Sequence, residues 1–202
     1  MTHATAALTK PSYLDDLPLA GDAFEFTAKR HAGQVREGDA APFLLHPLEV
    51  GALLHVFGYP EHVVTAGLLH DILESSETRA EELRALFGPE IAGLVEAVSE
   101  DPMVRDPAER KARLREQVSA AGPEAAAIFA ADKLSKVREI RIRTACAVDE
   151  PDDAAIRLKL EHYIESRAML ERRLGDLPLI QALAFELEAL LALPPRSPFT
   201  GL

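Results

Sequence analysis

The stretch AGLLHDILE at residues 66–74 contains a His-Asp pair and a nearby glutamate in an otherwise apolar segment. The apolar spacing after Pro60 predicts a helix that runs from Pro60 to about Glu74. On such a helix Glu74 follows His70 by four residues and Asp71 by three, so the glutamate lies on their flank. The three side chains form a candidate metal-binding surface, although helices also contain His-Asp pairs that have no such role.

Helical patterns separated by glycine and proline also fill the rest of the sequence. Alanine, leucine and glutamate are abundant, tryptophan is absent, and no segment shows the alternating pattern of a strand. Thr78 with Glu81 predicts a capping box at one helix start, and Asp106 before Pro107 predicts another start. We therefore predict an all-α fold, a compact bundle of about eight to ten helices. The predicted helices cover about residues 19–36, 47–57, 60–74, 79–88, 89–99, 107–121, 124–143, 154–174 and 178–193.

Length and composition indicate a single globular domain, since the chain has 202 residues of which 48% are hydrophobic. We predict a domain over residues 19–193, with an N-terminal extension over 1–18 and a C-terminal tail over 194–202. The single cysteine, Cys146, excludes an internal disulfide and a thiolate cage for zinc. There is neither a signal-peptide pattern nor an apolar run of about 18 residues, so we expect a cytoplasmic protein that does not enter a membrane.

The formal net charge of −11 argues against binding to polymeric nucleic acid. A local basic cluster nevertheless opposes the global sign, and it predicts either a site for a small anionic ligand or a solvated helix face. The last predicted helix is rich in leucine and alanine and fits either the core or a dimer contact, so we expect a monomer or a homodimer. The basic cluster consists of Lys133, Lys136, Arg138, Arg141 and Arg143.

Two further residues extend the candidate metal site. His46 directly precedes Pro47, which predicts a connector over residues 42–46 that ends at the mouth of a helix. Asp132 ends the stretch AAAIFAAD, whose small apolar residues allow close helix packing, so its carboxylate needs either a cation or a salt bridge, for instance to Lys136. Two imidazoles and two carboxylates without sulfur suit one Mn²⁺, Fe²⁺, Mg²⁺ or similar ion.

Four segments together resemble the HD superfamily, and within it the hydrolase domain of the RelA/SpoT proteins and their stand-alone relatives, including the metazoan SpoT homologue. The resemblance covers about residues 20 to 170 in the same order and with similar spacing. It implies an all-helical HD-domain bundle. The matching segments are AKRHAGQVR at 28–36, PFLLHPLEV at 42–50, AGLLHDILE at 66–74 and AADKL at 130–134.

The resemblance implies an activity and a role for individual residues. The family removes the 3′-pyrophosphate from guanosine tetraphosphate (ppGpp) and pentaphosphate with one Mn²⁺. Glu74 matches an acid that orients or activates the attacking water. Arg36 and Tyr163 match residues near the nucleotide, and Lys133, next to an implied ligand, is a candidate for a phosphate contact. Lys136, one turn after Asp132, is a candidate by its charge alone, and it either favours phosphate or bridges to an acid. The implied metal ligands are His46, His70, Asp71 and Asp132.

Three positions depart from the family pattern. Ser75 replaces the second acid of a Glu-Asp pair, Lys136 replaces an asparagine, and Glu37 occupies a position that is usually basic. The leading prediction is a ppGpp 3′-pyrophosphohydrolase-like enzyme. The departures leave two alternatives open, which are an HD phosphatase or pyrophosphatase for a different nucleotide and a catalytically silent nucleotide-binding regulator.

Overall fold

Helices form nearly all of the regular structure in this computed structural model, which describes residues 8–36, 40–145 and 153–192. Those residues contain no strand, and the single β-bridge among them joins Val35 to Pro42. The predicted all-α fold is therefore confirmed. A 3-10 turn at Ser12–Leu14 precedes the helices α1 Pro18–Arg30, α2 Leu45–Val56, α3 Glu61–Leu69, α4 Ile72–Ser75, α5 Ala80–Val98, α6 Pro107–Ala121, α7 Pro123–Ala145, α8 Asp153–Leu174 and α9 Pro178–Leu191.

The core is built around α3 and the first half of α7. Every residue of α3 from Val63 to Leu69 is buried, and so is the stretch from Ala125 to Ala131 in α7. A helix that is apolar on all sides has to be enclosed by others. Accordingly α3 packs against α1, α2, α5 and α7, while α7 also contacts α6, α8 and α9. Leu14, which lies within the predicted extension, is buried in the same core.

The first helix is shorter than predicted and ends at Arg30 instead of Arg36. Gly33 has a φ of +79°, a left-handed conformation that glycine adopts readily and a helix does not. Beyond it the chain runs antiparallel to the segment before α2, with the Phe43 amide donating to the Gln34 carbonyl at 2.9 Å. Glu37 lies outside the described residues, as do Cys146 and the predicted tail.

Two helix starts also differ from the prediction. α2 begins at Leu45, so His46 lies in its first turn, and Pro47 is tolerated there because first-turn amides need no helical acceptor. The predicted capping box is wrong: α5 starts after Arg79 without a side-chain cap, and Thr78 instead accepts a hydrogen bond from Ser76 at 2.8 Å. The predicted cap at the start of α6 is confirmed, since the Asp106 carboxylate accepts from the Glu109 amide at 2.7 Å.

The predicted helix over residues 60–74 is interrupted at the His-Asp pair. α3 ends at Leu69 and the short α4 begins at Ile72, with Asp71 between them at φ −91° and ψ −3°. The predicted boundary between helices at Gly88 appears as a kink inside α5, where Gly88 has φ 84° and ψ 165°. The break between α3 and α4 positions the side chains of the candidate site. No described helix is both long and apolar enough to cross a bilayer.

The close approach of α2 and α3 predicts the effect of a small substitution. A Cβ atom on Gly51 would lie 2.8 Å from Cδ2 and 2.9 Å from Cγ of the buried Leu68. We therefore expect Gly51→Ala to lower the free energy of unfolding by about 1–3 kcal/mol, measured by urea titration. Gly93→Ala in α5 is the control, because its Cβ meets nothing within 4 Å and alanine favours the helix by about 1 kcal/mol. If Gly51→Ala stabilised the protein as much as Gly93→Ala, the close approach of α2 and α3 would be contradicted.

Candidate metal centre

Four side chains from three parts of the chain converge on one point. His46 Nε2 lies 3.1 Å from His70 Nε2, 3.2 Å from Asp132 Oδ1 and 3.5 Å from Asp71 Oδ2. His70 Nε2 in turn lies 3.2 Å from Asp71 Oδ1 and 3.7 Å from Asp132 Oδ1. Ligand atoms that are each about 2.1 Å from a shared ion are separated by about 3 Å. His46, His70 and Asp132 therefore have the spacing of a metal-ligand set, and Asp71 lies beside both imidazoles.

Hydrogen bonds behind the imidazoles fix which nitrogen of each ring faces the cluster. His70 Nδ1 lies 2.8 Å from the Gly67 carbonyl oxygen, which can only accept, so Nδ1 carries the proton. The Ser135 hydroxyl donates to Glu49 Oε2 at 2.7 Å and therefore accepts from His46 Nδ1 at 3.0 Å. Both Nε2 atoms consequently present lone pairs to each other and to the carboxylates, as in metal-bound histidines.

The Asp132 carboxylate provides a separate test of whether a cation fits. Its Oδ2 accepts from the Lys133 ammonium at 2.6 Å. Its Oδ1 is buried and accepts no hydrogen bond of acceptable geometry from the described residues, although the Lys136 ammonium lies 3.1 Å away. A buried carboxylate oxygen that faces two imidazole lone pairs is unfavourable unless positive charge lies among them.

The electrostatics of the cluster point to the same conclusion. Burial works against a charge on His70, but the carboxylates of Asp71 and Asp132 outweigh burial and raise the pKa of His70. Burial lowers the pKa of His46. The cluster thus attracts one positive charge, which a proton on His70 or a cation can provide. Because the donors are two imidazole nitrogens and carboxylate oxygens without sulfur, these residues fit one divalent cation.

Glu74 is placed beside this cluster by the short helix α4. Its Oε1 accepts a hydrogen bond from the Glu100 amide at 2.7 Å, which ties the side chain to the loop after α5. The residue is exposed, and this hydrogen bond holds its carboxylate at the loop. Desolvation raises the pKa of Glu74, and the negative charges of Asp71 and Glu100 raise it further. A carboxylate with a raised pKa is a stronger base than an ordinary surface glutamate.

A cavity of about 450 Å³ opens next to His46, and the structure brings all four predicted substrate residues to its walls. Arg36 pairs there with Glu139 at 3.6 Å, and burial raises the pKa of Tyr163 to about 12. The volume lies in the usual range for ligand sites. The cationic and polar lining residues are Arg36, Lys111, Lys133, Lys136, Lys159, His162 and Tyr163, and the apolar ones are Val35, Phe43 and Ile140.

Several features of this cavity were not found by reasoning from the sequence. Lys111 comes from α6, and Lys159 and His162 come from α8, so they lie far along the chain from the four matching segments. In the sequence, the only feature that pointed to His162 was its position next to Tyr163. Conversely, Arg138 and Arg141 of the basic cluster pair with the buried Glu186 and therefore stabilise the bundle. The side chain of Arg143 lies outside the described residues.

The structure describes two of the three departures from the family pattern. The Ser75 hydroxyl donates a hydrogen bond to the Asp71 carbonyl oxygen, so it is directed back to the turn between α3 and α4. The Lys136 ammonium lies at Asp132, where an asparagine would carry no charge. The first change removes an acid from the site and the second adds a cation to it.

Comparison with known proteins identifies relatives for most of this region. The family model described as "HD domain" matches residues 23–150. The human guanosine-3′,5′-bis(diphosphate) 3′-pyrophosphohydrolase MESH1 is 34% identical over 122 residues, which is 59% of this chain and 68% of that protein. A GTP pyrophosphokinase from Myxococcus xanthus is 42% identical over 84 residues, or 42% of this chain. The match covers 11% of the Myxococcus protein, so this chain spans a small part of that relative's length.

A similar solved structure supports the fold. The chain superimposes with a TM-score of 0.71 on a metazoan ortholog of SpoT, at 24% sequence identity, over 90% of this chain and 97% of the other. At this level of identity the similarity establishes the arrangement of helices, including those that place the four clustered side chains.

The hydrogen bond behind His46 predicts a loss of metal affinity. Ser135→Ala removes the acceptor of His46 Nδ1–H, so the imidazole is held less firmly with Nε2 toward the cluster. We expect the affinity for Mn²⁺ to fall about 10- to 100-fold by isothermal titration calorimetry. Ser166→Ala is the control, since this buried serine in α8 bonds to a carbonyl outside the cluster. Unchanged Mn²⁺ affinity in Ser135→Ala would contradict the assigned tautomer.

The charge of Lys136 predicts the opposite effect. Its ammonium lies 3.1 Å from the Asp132 oxygen that faces both imidazoles, so it repels a cation bound there. We expect Lys136→Asn to raise the affinity for Mn²⁺ by on the order of tenfold in the same titration. Lys159→Asn removes a charge from the same cavity without touching Asp132 and should leave the affinity unchanged. A weaker affinity in Lys136→Asn would show that Lys136 organises the carboxylate instead of competing with the cation.

Proposed function

This chain belongs to the HD domain family, and on that basis we propose that it is a metal-dependent phosphohydrolase in which the four clustered side chains bind one divalent cation. The observation that carries this proposal is the buried Asp132 Oδ1, which faces two imidazole lone pairs without a hydrogen bond from the described residues. The cluster lies beside a cavity with cationic walls, where a phosphorylated ligand fits by charge and size.

Manganese is the proposed ion, with Fe²⁺ and Mg²⁺ as alternatives, because the donor set is mixed nitrogen and oxygen. When bound, such an ion supplies a Lewis acid for a phosphoryl oxygen and lowers the pKa of a coordinated water. Glu74 lines the small hollow beside His70, Asp71 and Asp132, where it would hold the attacking water. Its Oε1 is occupied by the Glu100 amide, so Oε2 accepts the proton of the attacking water, for which its raised pKa is suited.

The proposed substrate is guanosine 3′,5′-bis(diphosphate), the compound for which the human relative is named. Water attacks the phosphorus next to ribose O3′, the bond between them breaks, and the products are pyrophosphate and guanosine 5′-diphosphate. Lys133 and Lys136 line the cavity beside the cluster and neutralise negative charge that develops on the transferred group. Tyr163 and Phe43 offer aromatic surface for the nucleoside.

Ser75 favours a second candidate, an HD phosphatase or pyrophosphatase that acts on a different nucleotide. Its hydroxyl is bonded to the Asp71 carbonyl and carries no charge, so it does not replace a second acid in water activation. A metal-loaded regulator that binds a nucleotide without cleaving it is the remaining possibility. In each case the proposed partner is a small phosphorylated nucleotide in the cytoplasm, and the protein is a monomer or homodimer.

The proposed activity predicts different effects for two substitutions. Purified protein with Mn²⁺ should release pyrophosphate from ppGpp. Asp71→Ala should lose both the bound metal and turnover, because it removes a ligand. Glu74→Gln should keep the metal but lower kcat by about 10²- to 10⁴-fold, because it removes the base. Glu77→Gln is the matched control, since this glutamate is exposed just after the end of α4 and does not line the cavity beside the cluster.

Metal analysis alongside turnover distinguishes the candidate functions. Stoichiometric metal without cleavage of ppGpp would contradict the proposed substrate. Cleavage of another nucleotide in a panel, again abolished by Asp71→Ala, would support the second candidate. Nucleotide binding with no cleavage of any member of the panel would support the regulator.

A further inference from the structure

His162 in α8 is a buried histidine whose hydrogen bonding is incomplete. Its Nδ1 lies 2.8 Å from a guanidinium nitrogen of Arg115, and its ring meets the ring of Phe129 edge-on at 6.0 Å. Because a guanidinium can only donate, Nδ1 is the acceptor and the ring proton lies on Nε2. This Nε2–H is buried and has no partner among the described residues. Buried N–H groups are usually hydrogen-bonded, so we expect an acceptor for this donor.

The surroundings of His162 define what that acceptor must be. Burial lowers the pKa of His162 to about 2, with further contributions from the positive charges of Lys133, Lys111 and Arg115, so the ring is neutral. Ammonium and guanidinium groups are donors only and offer nothing to Nε2–H. No described residue supplies the missing acceptor, and negative charge on a group that does so is favoured by the surrounding cations.

His162 also lines the cavity beside the candidate metal cluster. Lys111, Lys133 and His162 all line the 450 Å³ cavity. Lys111 and Lys133 additionally line a hollow of about 40 Å³ that is bounded by His70 and Asp71 of the candidate metal cluster. The two lysines, which pair with Glu100 and Asp132, thus mark the junction between the cluster and the cavity, and His162 lines the cavity beside them.

We propose that His162 Nε2–H, together with Lys111 and Lys133, binds a second phosphate group of the nucleotide, separate from the group at the divalent cation. This proposal rests on the proposed function, because it places the first phosphate group at the metal. It names the residues by which the site would distinguish a nucleotide phosphorylated at two positions from one phosphorylated at one. A neutral donor serves this purpose without adding charge and without losing its proton in the physiological pH range.

Two nucleotides that lack a pyrophosphate bond provide the test. Guanosine 3′,5′-bisphosphate offers two phosphate groups and guanosine 3′-monophosphate offers one. Their dissociation constants are measured by calorimetry on the Mn²⁺-loaded full chain, for the wild type, His162→Phe and His162→Gln. Phenylalanine keeps an aromatic ring against Phe129 but removes the donor, whereas glutamine retains an N–H donor.

We expect His162→Phe to weaken the bisphosphate about tenfold or more, the loss of one hydrogen bond to a charged group, and the monophosphate less than about twofold. His162→Gln should restore most of the affinity. The affinity for Mn²⁺ and the Tm should not fall in His162→Phe and recover in His162→Gln in this way. As a spectroscopic check with Mg²⁺, the imidazole ¹H–¹⁵N spectrum should show the Nε2–H form of His162 and a shift of its resonance when the bisphosphate binds.

Equal weakening of both nucleotides, or no weakening of either, would overturn the proposal, and so would a wild type that binds the two equally. The assay measures binding alone, so it is independent of turnover. A His162-dependent preference for the bisphosphate in a protein that does not cleave ppGpp would overturn the proposed substrate and leave the second phosphate site standing.

Discussion

The buried carboxylate of Asp132 is the constraint on which the rest of the site depends. Small residues before it in α7 allow other helices to pack against this part of the bundle and enclose the carboxylate. Enclosure removes water from Oδ1, which then faces the Nε2 atoms of His46 and His70 at 3.2 and 3.7 Å. In their neutral forms neither imidazole offers a proton there, because each donates from Nδ1 to a group behind it. The fold therefore assembles four electron-pair donors around a point that positive charge has to occupy.

A chain of polar contacts connects this point to the outer helices. Behind His46, Ser135 donates to Glu49 at 2.7 Å, and Arg138 lies 3.7 Å from the same carboxylate. Arg138 also donates to the buried Glu186 of α9 at 3.2 Å. The orientation of one imidazole in α2 is thus supported by residues of α7 and α9. A basic cluster that looked like an anion site in the sequence is divided in the structure, with Lys133 and Lys136 facing the cavity and Arg138 supporting the bundle.

Periodicity and end signals are local, so they predicted the helical class and most helix positions. The residues that converge were predicted together by the resemblance to the HD superfamily. Prediction from the sequence failed where a conformation depends on contacts between distant segments. The interruption at His70 and Asp71 is one such case, since the apolar pattern continues through it. The early end of α1 is another, because the segment after Gly33 pairs with the chain before α2. His162 was missed for the same reason, as its partners Arg115 and Phe129 lie in other helices.

The two described departures from the family pattern act in the same direction on the charge of the site. Serine at position 75 removes one negative charge and lysine at position 136 adds one positive charge, so the site is two units more positive than the family pattern. Positive charge favours binding of a polyanionic ligand, whereas the lost acid weakens proton transfer from water. In the proposed mechanism Glu74 is the remaining acid, and its bond to the Glu100 amide at Oε1 leaves Oε2 for the water. The site is therefore arranged to bind anionic nucleotides firmly and to concentrate its base function in one residue.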